Sequence, residues 1–80
     1  MNKVTPEHIK TKLSEQLRKV RDEYGETWKA FADRCGVSER AMMRWASGKH
    51  VITTVQLANV AERLGETLDF LLGYEDDADE

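Results

Sequence analysis

Two arginines one helical turn apart, Arg40 and Arg44, carry the clearest chemical potential in the chain. A guanidinium is a rigid fork of N–H donors that is always charged, so such a pair suits bidentate recognition of guanine O6 and N7 in a major groove, or of phosphate. Their neighbours extend the same chemistry. Glu39 sits where a carboxylate can accept from a cytosine amino group, Met43 can touch a thymine methyl, and Ser38 opens the segment. Nothing comparable points to catalysis. The chain holds two histidines, His8 and His50, and one cysteine, Cys35, and no nucleophile stands at a spacing that would give it a base. No Gly-rich phosphate loop or metal-ligand cluster occurs either, so neither enzyme activity, metal nor cofactor is expected. His8 and His50 are expected to be ordinary exposed residues, with His50 able to approach a phosphate.

Taken alone, the formal net charge of −3 argues against a polyanionic partner, because basic residues that displace counterions supply much of the affinity for nucleic acid. The distribution answers this objection. Five of the fifteen acidic residues (Glu75, Asp76, Asp77, Asp79 and Glu80) fall in the last six positions, which leaves ten acids against twelve bases before them. Eleven of those twelve bases precede His50. Residues 1–74 are therefore expected to form one domain able to face a polyanion, and residues 75–80 a solvated, disordered acidic tail. Within these eighty residues a second domain is not expected. No apolar run exceeds three residues, so neither a membrane span nor a secretory segment is expected and the protein is placed in the cytoplasm. The single Cys35 cannot form an internal disulfide and is assigned to the core.

The elements that must position these side chains are helices. Thr5 and Pro6 open the first, whose apolar stripe of Ile9, Leu13, Leu17, Val20 and Tyr24 is stopped by Gly25. Thr27 opens a second helix that runs through Phe31, Ala32 and Cys35 to Gly36. Ser38 opens a third that runs through Met42 and Trp45 to Ser47 and Gly48. Thr53 and Gln56 have capping-box spacing before the stripe Leu57, Val60, Ala61 and Leu64, closed by Gly65; Thr67 then caps a short helix over 68–72. No stretch alternates as a strand would. In the third helix, Ala41, Met42 and Trp45 fall on one side, and Glu39, Arg40, Met43 and Arg44 on the other. Small Ala32, the Gly36 turn and apolar Val37 are what a close, sharp crossing of the second and third helices requires.

Residues 17–73 resemble the Cro and phage-repressor, or xenobiotic-response-element, type of helix-turn-helix domain. The resemblance is carried by Leu17-Arg18-Lys19-Val20-Arg21, by Phe31-Ala32 with Cys35-Gly36-Val37-Ser38, and by Arg44-Trp45-Ala46-Ser47-Gly48-Lys49. Leu57, Val60-Ala61, Leu64-Gly65, Leu68-Asp69 and Leu71-Leu72-Gly73 complete the register. It implies an all-α, five-helix lambda-repressor-like bundle with the helix-turn-helix in helices two and three. The recognition helix, 39–46, is then expected in the major groove, with Ser38, Glu39, Arg40, Met43 and Arg44 against bases. Phosphate contacts are implied for Thr27, Trp28, Ser47 and Lys49. A homodimer on an inverted-repeat operator is implied as well.

Trp28 and Phe70 depart from the family pattern, and Glu39 beside the phosphates is unfavourable unless it meets a base donor or pairs with its neighbour Arg40. Trp28 stands where glutamine is usual, so its indole either serves a phosphate or covers the core. Phe70 replaces a polar residue and either fills the core or forms a dimer patch with Tyr74. The expected function is sequence-specific binding of double-stranded DNA by a transcriptional regulator, a repressor or autoregulator, without a small-molecule ligand. The alternative is the same scaffold used as a protein–protein interaction module.

Overall fold

The computed structural model describes residues 4–74, so the acidic segment 75–80 lies outside the described residues. Five helices and no strand occur among them: α1 (Pro6–Tyr24), α2 (Trp28–Cys35), α3 (Glu39–Ala46), α4 (Thr54–Leu64) and α5 (Leu68–Leu71). Every N-terminus carries the expected hydroxyl cap. Thr5, Thr27, Ser38, Thr53 and Thr67 each accept a hydrogen bond from the backbone N–H three residues on, at 3.0–3.1 Å. Caps of this kind stabilise a helix by about 1 kcal/mol each, which matters for helices too short to persist alone. α1, α2 and α4 all end on a glycine in the left-handed region, Gly25, Gly36 and Gly65. The last helix ends one residue earlier than the spacing predicts. Leu72 lies at φ −90°, ψ 0° and forms its C-cap.

α1 packs on α3 and α5, α2 on α3 and α4, and α4 on α5. Their shared core gathers Leu13, Leu17 and Val20 from α1, Phe31, Ala32 and Cys35 from α2, and Met42 and Trp45 from α3. Leu57, Val60, Ala61, Leu64 and Leu71 come from α4 and α5, with Ile52 from the intervening loop. The α1 stripe frays at both ends: Ile9 is half-buried and Tyr24 is exposed, its ring covered by the Arg34 guanidinium at 3.9 Å.

One polar tie inside this core was not legible in the sequence. The buried Ser14 hydroxyl donates to the Ala46 carbonyl at 2.6 Å, satisfying an acceptor at the C-terminal end of α3. Gly48 approaches the same serine, since a Cβ on Gly48 would stand 3.6 Å from the Ser14 Cβ. α3 is thereby held at its C-terminal end by α1 and along its buried face by the core.

Candidate nucleic-acid interface

Three residues, Gly36, Val37 and Ser38, join α2 to α3. Gly36 takes φ +74°, and its N–H reaches the Ala32 and Asp33 carbonyls while the Val37 N–H reaches Ala32 at 3.0 Å. Chain direction therefore changes without orphaning the last carbonyls of α2. A Cβ at Gly36 would meet the Arg63 guanidinium carbon at 3.0 Å in addition to the left-handed strain. Gly36→Ala is expected to lower stability by roughly 1–2 kcal/mol, measured as a reduced urea midpoint at unchanged m-value. An unaltered midpoint would mean that the turn relaxes out of the left-handed region.

Met42, Trp45 and Ala46 bury one side of α3, and Glu39, Arg40, Met43 and Arg44 are exposed on the other. Ala41, expected with the buried set, is half-buried at the margin. Because Met42 is fully buried and Trp45 nearly so, α3 cannot rotate about its axis without exposing them. The outward set is therefore fixed by the inward one.

Carboxylates take up some of the bases and leave others; Arg18, Lys29 and Arg63 join no ion pair among the described residues. Lys10 pairs with Glu7, Lys12 with Glu15, Arg21 with Asp22 and Arg34 with Glu26. The Arg34 hydrogen bond holds the Glu26 carboxyl below its ordinary range. Among the described residues, Arg40, Arg44 and Lys49 engage no carboxylate. Glu39 is likewise unpaired with its neighbour Arg40. The guanidiniums of α3 thus reach solvent uncompensated, and a groove runs along each side of their row. One is lined by Met43, Glu39 and Ser47, the other by Ser38, Trp45 and Gln56, and His50 borders both.

The residues singled out for phosphate contact occupy different situations. Thr27 spends its Oγ lone pair on the Ala30 N–H and keeps its own proton to donate. Trp28 is half-buried, edge-on to Phe31 with ring centroids 6.1 Å apart, and the Arg21 guanidinium lies 4.6 Å above its ring. Its ring packs against the core. The Ser47 hydroxyl donates to the Arg44 carbonyl at 2.7 Å and accepts the Lys49 N–H at 3.3 Å, so its proton is already committed. Lys49 itself is exposed.

Arg21 was not singled out by spacing, yet it bonds the Glu26 carbonyl at 2.7 Å and steadies the loop before α2. At the far side, Phe70 is half-buried against the core, with the Lys19 ammonium 5.9 Å from its ring. Tyr74 is exposed and packs on His8 at 5.6 Å.

Cys35 is 1% exposed, and burial pushes its thiol up to about 11, which disfavours the nucleophilic thiolate at neutral pH. No group of three metal-ligating side chains occurs among the described residues, and no described helix is long and apolar enough to cross a membrane. No protein-family model, curated protein or solved structure matches the chain.

Proposed function

We propose that the protein binds double-stranded DNA sequence-specifically and acts in the cytoplasm as a transcriptional repressor or autoregulator. In this proposal α2 and α3 form the helix-turn-helix unit of a lambda-repressor-like bundle, and α3 enters the major groove. The observation that carries it is the pair Arg40 and Arg44, exposed, free of carboxylate partners among the described residues, and aimed outward by a buried opposite face. A helix presented this way offers two forks to guanine edges. Ser38, Glu39 and Met43 flank them as further base contacts.

Phosphates on either side of the groove fall to the Thr27 hydroxyl at the α2 N-terminus and to the Lys49 ammonium, with Trp28 and Ser47 supporting those contacts through their packing and hydrogen bonds. An eight-residue helix reads only a few base pairs, so a homodimer on an inverted repeat, joined through Tyr74 and the exposed edge of Phe70, supplies the rest of the specificity. Repression needs no catalysis; occupancy of a promoter suffices.

Selection of bound duplexes from a random library, followed by a salt titration on the enriched sequence, tests this. Enrichment of an inverted repeat with affinity falling steeply as salt rises is the expected result. A folded protein that enriches no duplex overturns it and favours the protein-interaction module.

A further inference from the structure

We propose that the groove between α3 and residues 50–56 is a phosphate-binding site that adds His50, Gln56 and Ser38 to the guanidiniums of Arg40 and Arg44. The phosphate can belong to a free phosphorylated small molecule or to a DNA strand; only the second source rests on the DNA-binding reading.

The groove has a volume of about 360 Å³, within the roughly 300–1,000 Å³ of small-molecule sites. Its charge is one-sided. Two guanidiniums without a carboxylate partner among the described residues and the His50 imidazole line it, and no carboxylate does, because Glu39 faces the groove on the other side of the arginine row.

Its neutral donors are oriented by the helix caps. The Gln56 Oε1 accepts both the Thr53 N–H at 3.3 Å and the Thr53 hydroxyl at 3.0 Å. That fixes the amide and leaves its Nε2 protons uncommitted among the described residues. Ser38 uses its oxygen to accept from the Ala41 N–H at 3.1 Å and keeps its proton. Ala41 and the edge of Trp45 form a floor that the core immobilises, Trp45 being only 4% exposed. Convergent donors on a rigid, acid-free wall are what an oxyanion with several acceptor oxygens requires. The groove also opens at the positive end of the eleven-residue α4, a further contribution of the same sign.

Inorganic pyrophosphate, titrated into the full chain at constant ionic strength, is the first probe, followed by NMR of the Gln56 side-chain amide and the Arg40 and Arg44 Nε–H. The expected result is saturable one-to-one binding that shifts these signals and weakens about tenfold or more in Arg40→Ala, as loss of a charge-assisted bond implies. The second arm uses the enriched duplex with His50→Ala, an exposed position whose far-UV spectrum and urea midpoint should be those of the parent.

Saturable pyrophosphate binding that displaces duplex assigns the site to a free phosphorylated ligand. Absence of saturation, with His50→Ala several-fold weaker on all duplexes alike, assigns it to the DNA strand. Shifts that follow ionic strength alone, together with unchanged duplex affinity in His50→Ala, overturn the site. The two readings fail separately: pyrophosphate binding without any duplex binding keeps the site and removes DNA recognition. Duplex binding that needs Arg44 but not His50, without saturable pyrophosphate binding, does the reverse.

Discussion

Arg44→Ala should weaken binding to the selected operator by about 1–3 kcal/mol, roughly five- to 150-fold, and erase the preference at one base pair. A bidentate guanidinium–guanine contact discriminates because the wrong base leaves its donors unpaired in a desolvated groove. Competition between the operator and its single-base-pair variants measures this directly. The wild-type protein should prefer the parent sequence at the Arg44 position, and the variant should bind parent and variant alike.

Equal weakening on every sequence, with the slope of log affinity against log salt reduced by about 0.9, would assign Arg44 to a phosphate instead. Stability offers the internal control. Arg44 is exposed and has no carboxylate to abandon among the described residues, so the thermal midpoint should stay where it is. Arg34→Ala makes the matching negative control for DNA, since that guanidinium is already engaged by Glu26 and Tyr24.

Phe31→Ala should have the largest effect on the molecule, a loss of about 3–5 kcal/mol of stability. Phe31 is completely buried, packs edge-on against Trp28, and lies 6.5 Å from the ring of Tyr24. Removing it opens a cavity where α2 packs against its neighbours, and in a domain of this size neither α2 nor α3 can move to fill the space without exposing other core residues. Total stability at this length is on the order of 4–12 kcal/mol, so a large share of the folding free energy would be lost. Urea unfolding should show a sharply lower midpoint. Duplex affinity should fall with it and recover when the fold is stabilised by low temperature or osmolyte. Phe31→Leu, which keeps most of the volume, should cost under about 2 kcal/mol and leave DNA recognition intact. If Phe31→Ala stayed folded yet lost DNA binding at every temperature, its role would lie in the interface rather than in the core.

Helix positions could be read along the chain because the signals that set them are local. A hydroxyl three residues before the N–H that it caps, a glycine after the last apolar turn, and a stripe repeating every three or four residues all act within a few residues. Five helices and four of their five ends follow from these alone. The two faces of α3 were legible for the same reason, apart from marginal Ala41. Spacing could not distinguish an arginine that is spoken for from one that is free. Arg34 and Arg44 look alike in sequence, yet Arg34 meets Glu26 eight residues away and Arg44 meets no carboxylate among the described residues.

The sequence by itself thus determined where the helices lie, which side of each is apolar, and that the bases are concentrated in the first two thirds of the chain. The tertiary structure decided which charges remain unpaired. It also decided that the Arg21 guanidinium of α1 lies over the Trp28 ring of α2, and that Ser14 ties α1 to the end of α3 across thirty-two residues. Only there do Gln56 and His50 come to share a groove with the arginines of α3. The division has one physical cause: caps and stripes depend on neighbours a turn away, whereas pairing, burial and the walls of a groove depend on which distant segments the core brings together.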